Sequence, residues 1–265
     1  MITSDLTAER IREYLQQGKR FDGRKLTEFR DIKVETGISK NAEGSARVRI
    51  GKTEVIAGVK MSTGAPYDDS PDAGNFMVTG ELTPLSSPRF EAGPPKFPAI
   101  ELSRVIDRGL RESGFLDFKK LCIKKGEKVW TVFVDIYTMN DDGNLLDTAA
   151  LAAIIAMKTA RFPEYDEETD KISYGKFTDK KLPLTDILPL QVTAHKIGDK
   201  IIFDPTREEE DVSETRLTIG SSRGSISSMQ KGEKASLEIE EFNDILDSVE
   251  EVWNKVFKKV EEFVK

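Results

Sequence analysis

Residues 142–155 read Asp-Gly-Asn-Leu-Leu-Asp-Thr-Ala-Ala-Leu-Ala-Ala-Ile-Ile, and this stretch decides the fold. It follows a β-rich run at 129–137, so the chain passes from a strand through a tight turn into an Ala-rich helix. The N-terminus of a helix presents free N–H groups and a partial positive charge, which suit a bound phosphate. The function of the chain therefore depends on whether this turn has the residues to hold one.

Strands and helices are predicted on both sides of this junction, in a β-then-helix order that occurs twice. The first half is expected to contain a helix over 4–17, strands at 32–35, 45–50, 53–60 and 75–82, a long Gly- and Pro-rich loop, and helices over 99–113 and 147–161. A polar surface crossing is expected at 164–171. The second half is then expected to contain strands at 187–196 and 200–203, an acidic loop at 204–211, a hairpin at 216–230 and a helix over about 236–264. This repetition predicts a pseudo-duplicated α+β protein in which helices cover sheets.

The composition is that of a highly charged globular chain. Of its 265 residues, 38% are hydrophobic and 33% are charged, and no apolar run approaches the roughly 18 residues of a membrane span. The first residues also lack a basic-then-apolar signal peptide, so we expect a soluble, cytoplasmic protein without a membrane partner. The net charge of −7 gives no global attraction for a polyanion. Any contact with nucleic acid therefore requires a local basic surface or a pore shared with other chains.

The chain has one cysteine, Cys122, and one histidine, His195. A single cysteine excludes a disulfide framework and a cysteine metal cluster, and a single histidine makes a histidine zinc site remote. Both residues lie in apolar, strand-like segments, where a buried structural side chain is the better interpretation. We therefore expect neither a metal nor another cofactor.

Three arginines follow one side of the predicted helix at 99–113. Arg104, Arg108 and Arg111 lie at i, i+4 and i+7, within a stripe about 60° wide. The stripe is either a solvated face, with Asp107 placed to pair with Arg111, or a surface that contacts phosphates through arginine forks. Periodicity alone favours the solvated face.

The chain resembles the RNase PH family, the phosphorolytic 3′→5′ exoribonucleases, along nearly its whole length. The matching segments share the order and spacing of that family, and they are Arg-Phe-Asp-Gly-Arg at 20–24, Glu-Gly-Ser-Ala-Arg-Val at 43–48, Gly-Lys-Thr-Glu-Val at 51–55 and Glu-Leu-Ser-Arg at 101–104. The resemblance implies an RNase PH-like fold in one domain over 1–265. Its halves, about 20–162 and 183–265, would be a ribosomal S5 domain 2-like half and a second β/α half.

Within the family, the chain is most similar to the non-catalytic ring subunit of the archaeal exosome. The segments that carry this likeness are Leu-Asp-Thr-Ala-Ala at 146–150, Ile-Leu-Pro-Leu at 187–190 and Asp-Pro-Thr at 204–206 with the glutamate run after it. The implied partners are a catalytic RNase PH-like paralogue in a trimer of heterodimers, cap proteins with S1 or KH domains, and single-stranded RNA. Two alternatives stay open, an active phosphorolytic exoribonuclease and a scaffold without RNA contact.

Phosphorolysis brings inorganic phosphate against a phosphodiester, so a site for it needs N–H donors and a cation that offset the repulsion. Active family members supply them with an Asp-Gly-Gly-Thr-Arg turn, which aligns with residues 143–147 of this chain. Leu146 replaces the threonine and Asp147 replaces the phosphate-holding arginine. With unit charges at about 4 Å worth roughly 4 kcal/mol each, this exchange could cost several kcal/mol. The resemblance therefore implies a degenerate phosphate site at Leu146 and Asp147 and no catalytic residue.

The resemblance also bears on the acidic loop and on the arginines. Active members carry two loop aspartates for a metal or for general acid chemistry, and Asp204 and Glu210 match their positions. A metal site and a solvated, exposed acidic loop both stay open here. In the family, the helix with the arginine stripe lies where RNA is led to the active site. Arg104 and Arg108 are therefore the favoured RNA contacts, and Arg111 and Arg89 are weaker candidates.

Overall fold

A computed structural model describes residues 3–265. Within them the helices are α1 (Asp5–Gln16), α2 (Phe97–Arg111), α3 (Leu145–Thr159), α4 (Arg207–Val212) and α5 (Ile239–Val264). The strands are β1 (Ile32–Thr36), β2 (Gly44–Ile50), β3 (Thr53–Gly64), β4 (Asn75–Glu81), β5 (Cys122–Lys124), β6 (Lys128–Asn140), β7 (Arg161–Asp166), β8 (Lys171–Lys181), β9 (Leu190–Ile197), β10 (Lys200–Phe203), β11 (Thr215–Ser222) and β12 (Ser225–Gly232).

Two large sheets and one hairpin contain these strands. The first sheet has the order β1-β2-β3-β6-β4, with the short β5 beside β6, and only the β4–β6 pair is parallel. The second sheet is antiparallel and has the order β10-β9-β11-β12, while β7 and β8 pair with each other. The predicted α+β class is confirmed.

Helix α3 lies at the centre of the core, between the two large sheets. It packs against β2 and β3 on one side and against β9 on the other. A helix that is apolar all round has to be covered on all sides, and nearly every side chain from Leu145 to Met157 is buried. A Cβ atom on Gly44 would lie 2.3 Å from the carbonyl oxygen of Ala156, so only glycine lets β2 approach α3 this closely. The packing fixes the start of α3 relative to both sheets.

Two predictions for the chain after α3 are wrong. Residues 164–171, predicted as a surface crossing, belong to the β7–β8 hairpin, whose second strand is almost entirely exposed and so lacks the alternation of a half-buried strand. The acidic loop at 204–211 contains helix α4 instead. A capping box fixes its start, because Thr206 and Glu209 each accept a hydrogen bond from the other's backbone N–H.

Helix α5 lies over α3, β9 and β1 and buries one side against them. Its side chains at Val249, Trp253 and Val260 are buried, whereas Ile239 at its start is 65% exposed. Over residues 3–265, no helix combines the length and the apolar character that crossing a bilayer requires.

Candidate nucleic-acid interface

In the turn before α3, residues 141–144, the backbone N–H groups of Gly143 and Asn144 donate to the chain's own carboxylates; we call it the closed turn. The N–H of Gly143 donates to Oδ1 of Asp141 at 3.1 Å, and the N–H of Asn144 donates to Oε2 of Glu210 at 3.1 Å. Asn144 adopts a left-handed conformation with φ of 61°, which asparagine tolerates better than most residues. A phosphate bound to these two N–H groups would have to displace both carboxylates.

The segment before α4 covers the closed turn directly. A Cβ atom on Gly143 would lie 2.6 Å from the carbonyl oxygen of Pro205 and 2.6 Å from the carbonyl carbon of Thr206. The glycine, with φ of 86°, is therefore required both by its conformation and by the space left to it. The segment packs so closely on this glycine that little space remains beside it for a ligand.

Asp147 is buried in the first turn of α3 and faces strand β9. Its Oδ1 accepts the hydroxyl of Thr193 at 2.6 Å, and its Oδ2 accepts the N–H of Thr193 at 3.1 Å. Burial raises the pKa of Asp147 from 3.8 to about 7, although the bonds from Thr193 act in the opposite direction. The expectation that Asp147 repels a phosphate by its charge therefore needs a correction, because this carboxyl is bonded to Thr193 inside the core and burial favours its neutral form. The neighbouring Leu146 is partly buried against the same core.

The raised pKa of Asp147 predicts a pH-dependent stability that Asp147→Asn removes. Between pH 3.8, where the unfolded carboxyl ionises, and about 7, the folded chain binds one more proton than the unfolded chain. This group therefore lowers the free energy of unfolding by up to about 1.4 kcal/mol per pH unit as the pH rises through that interval. In urea unfolding from pH 4 to pH 8, the free energy of unfolding of Asp147→Asn should rise relative to that of the wild type as the pH increases. Parallel curves would contradict the buried carboxyl.

Asp204 lies at the centre of a buried ion cluster. Arg30 donates to Oδ1 and Oδ2 at 2.7 and 2.9 Å, Arg24 donates to Oδ2 at 2.9 Å, and the Asn144 side chain donates to Oδ1 at 2.8 Å. Burial alone would raise the pKa of Asp204, but the guanidinium groups of Arg30 and Arg24 hold it below its ordinary value. The same Arg30 donates to the carbonyl oxygens of Asp142 and Gly143. Through Arg30 the cluster is therefore hydrogen-bonded to the backbone of the closed turn.

Most of the rest of the acidic segment is also bonded internally, so the interpretation of an exposed acidic loop is wrong for every carboxylate but that of Glu208, which is exposed. Glu209 is buried and paired with the buried Arg20, whose two nitrogens lie 2.9 and 2.5 Å from the carboxylate. Arg207 lies between Asp141, Glu210 and Asp211 at 3.1 to 3.3 Å. In the described part of the chain, no three His, Cys, Asp or Glu side chains are arranged to hold a metal ion.

The four predicted RNA-binding arginines have different surroundings. Arg89 forms a bidentate pair with Asp211, and Arg111 donates to both oxygens of Asp107 and to the carbonyl oxygen of Phe76. Arg104 and Arg108 are exposed on α2, and within residues 3–265 neither forms an ion pair. Of these four arginines, Arg104 and Arg108 therefore present an uncompensated positive surface, which we call the arginine surface.

The single histidine and the single cysteine do not contribute to this region. Burial lowers the pKa of His195 to about 3, helped by the positive charges of Arg216 and Arg207. The ring is neutral at physiological pH and contacts Ser213 in a structural hydrogen bond. Cys122 is only partly buried, in contrast to the prediction, because it begins the short β5 at the sheet margin.

Sequence reasoning missed the partners of the acidic segment, Arg20, Arg24, Arg30 and Arg207. Arg20 and Arg24 lie in a segment that is recognised as a family motif but carries no predicted role. The available signal was charge balance, since carboxylates as dense as those at 208–211 need nearby cations wherever one of them is buried.

Comparisons with known proteins place the chain in a family. Profiles of the 3′ exoribonuclease family match residues 28–163 with its domain 1 and residues 188–248 with its domain 2. The exosome complex component Rrp42 of Methanocella arvoryzae is 46% identical over 265 residues, which span 98% of this chain and 99% of that protein.

Solved structures are similar over the same length. A chain of the Archaeoglobus fulgidus exosome with RNA bound to the active site has a TM-score of 0.85 at 44% identity, covering 92% of this chain and 93% of that chain. A chain of an archaeal exosome core has a TM-score of 0.85 at 38% identity, covering 98% and 97%. These similarities confirm the fold that the sequence predicts.

Proposed function

The chain belongs to the RNase PH family of 3′ exoribonucleases, and we propose that it is a non-catalytic ring subunit of an exosome-type complex. That complex degrades single-stranded RNA from its 3′ end by phosphorolysis. The chain shapes the RNA path next to the active site of a catalytic partner and contributes no phosphate site of its own.

The closed turn is the observation that carries this proposal. A phosphorolytic site has to present N–H donors and a cation to inorganic phosphate. Here the N–H groups of Gly143 and Asn144 already donate to carboxylates, and the side chain of Asp147 bonds to Thr193. Acidic groups stand where the reaction needs positive charge, which supports a subunit that leaves the chemistry to a partner.

The arginine surface supports a part in RNA binding. Arg104 and Arg108 project from neighbouring turns of one helix, so they lie about 6 Å apart along its axis. Guanidinium groups form forked hydrogen bonds with phosphates, and these two have no carboxylate partner within residues 3–265. Single-stranded RNA that passes α2 would gain two phosphate contacts.

We extend the proposal to the assembly. The partner is a catalytic RNase PH-like paralogue, three pairs form a hexameric ring in the cytoplasm, and S1- or KH-domain proteins cap one face. Support comes from the matched structures, which are described as an exosome with RNA bound to the active site and as an archaeal exosome core. A ring admits an unpaired strand and rejects a folded duplex, so a threaded 3′ end is held for repeated cleavage.

The purified chain alone is expected to release no nucleoside diphosphate from RNA in the presence of phosphate and magnesium. Co-expression with the other RNase PH-like chain of the same genome should give a complex whose mass corresponds to three pairs, and that complex should release nucleoside diphosphates. Appreciable release by the chain alone would favour an independent enzyme. A phosphate bound at the start of α3 in a crystal would contradict the closed turn.

A further inference from the structure

A cavity of about 420 Å³ separates helix α2 from the outer strand β12. Its walls include Phe97, Arg104 and Arg108 from α2 and Ser228 and Gln230 from β12. The volume lies within the range of sites that hold small organic groups. The arginine surface is therefore one wall of a concave site. The proposed RNA contact does not involve the other residues of that site, Phe97, Ser228 and Gln230.

Phe97 is the unusual member of this cavity. Its side chain is 73% exposed, although it stands at the first residue of a well-formed helix. At 100° per residue, Phe97, Arg104 and Arg108 share one face of α2, with the ring about 10 Å along the axis from Arg104. An exposed aromatic ring in line with two unpaired arginines is the arrangement that binds successive nucleotides of a single strand.

The local charges favour an anionic ligand. Glu101 lies on the same face of α2, but its carboxylate is 2.6 Å from the guanidinium of Arg216. The acidic group is thereby neutralised, and Arg104 and Arg108 set the sign of the potential in the cavity. The hydroxyl of Ser228 and the amide of Gln230 add hydrogen-bonding groups opposite the arginines.

We propose that this cavity binds one base of single-stranded RNA, stacked on Phe97, while Arg104 and Arg108 hold the phosphates beside it. The inference rests on the proposed function and adds a base contact to it. Stacking needs only the face of a base, so the site is tolerant of sequence. The non-catalytic chain then holds the strand by its bases as well as by its phosphates.

The test uses the assembled ring and oligoadenylates of about ten nucleotides that carry one abasic position, moved along the strand. Phe97→Ala should weaken binding of the intact strand about 10-fold, as expected for one lost base–aromatic stack, and Phe97→Trp should retain it. The salt dependence of binding should stay unchanged, because no phosphate contact is lost. Tyr174→Ala, which removes a ring 59% exposed on β8, is the matched control and should leave the affinity unchanged.

One abasic position should weaken binding to the wild-type ring about 10-fold and have no further effect on Phe97→Ala. An unchanged affinity of Phe97→Ala, or additive losses at every abasic position, would overturn the stacking site. Failure of Phe97→Ala to assemble into a hexamer of normal mass would also overturn the proposal, because the aromatic side chain of Phe97 would then be a contact with another subunit. If Phe97→Ala has no effect while arginine substitutions do, only this inference fails; if the arginines have none either, the proposed RNA contact fails.

Discussion

Replacing both Arg104 and Arg108 by glutamate is expected to weaken the binding of single-stranded RNA by the assembled ring about 100-fold. The change removes two phosphate contacts and places two carboxylates beside the RNA backbone, and like charges at such distances cost several kcal/mol. About 2.7 kcal/mol of this cost would account for the 100-fold loss. Because both side chains are exposed and unpaired within residues 3–265, folding and ring assembly should be unaffected.

Neutral replacements separate charge repulsion from lost contacts. With glutamine at Arg104 and Arg108, the slope of log affinity against log salt should fall by about 1.4, since each single-strand phosphate contact contributes about 0.7. Arg111→Gln is the control from the same helix, because Asp107 and the carbonyl oxygen of Phe76 already hold its guanidinium. Equal affinity and equal salt slope for the arginine pair and the wild type would leave the chain a scaffold without RNA contact.

The junction around α3 shows what a local pattern can predict. A β-rich run followed by an Ala-rich apolar stretch indicates a strand and a buried helix, and both form at β6 and α3. The helix begins at Leu145 rather than at residue 147, because Asn144 takes the left-handed conformation that ends the turn early. On α2, spacing alone predicts the pair of Asp107 and Arg111, which lies at 2.8 Å.

The surroundings of the candidate site could not be predicted in the same way, because they depend on contacts between distant parts of the chain. Asp147 bonds to Thr193, 46 residues later, and Arg30 bonds to Asp204, 174 residues later. A sequence pattern gives the charge of Asp147 but not the direction in which its carboxylate lies. The same limit applies to Arg89, whose charge is visible in the sequence and whose pairing with Asp211 is not.

The charged groups around the start of α3 compensate one another, so no single residue accounts for the properties of the site. By the family resemblance Asp147 takes the place of a phosphate-holding cation, whereas the carboxylates of Asp141 and Glu210 occupy the N–H groups of Gly143 and Asn144. Arg207 then balances both carboxylates from within the chain. The positive charge that would attract phosphate is present nearby, but the chain's own anions already use it.

Asp204→Asn is expected to lower the free energy of unfolding by about 3 to 5 kcal/mol, the cost of leaving buried cations without their anion. Asp204 accepts from Arg30 and Arg24, and asparagine would present an amide donor where two guanidinium groups already donate. Asparagine tolerates the left-handed backbone of this position, where φ is 47°, so the change acts on charge rather than on conformation. Urea unfolding of the purified chain at pH 7 measures the difference.

The matched control is Asp142→Asn, which removes a carboxylate that pairs with the same Arg30 at 3.4 Å but is 35% exposed. Solvent screens that pair, so its loss should cost less than about 1 kcal/mol. Because the pKa of Asp204 is lowered in the folded chain, its contribution is fully present above pH 3.8 and is lost as the pH falls further. The difference in the free energy of unfolding between the wild type and Asp204→Asn should therefore become smaller as the pH falls below 3.8. Similar losses of unfolding free energy for Asp142→Asn and Asp204→Asn at pH 7 would contradict the prediction that the buried Asp204 contributes more to stability than the exposed Asp142.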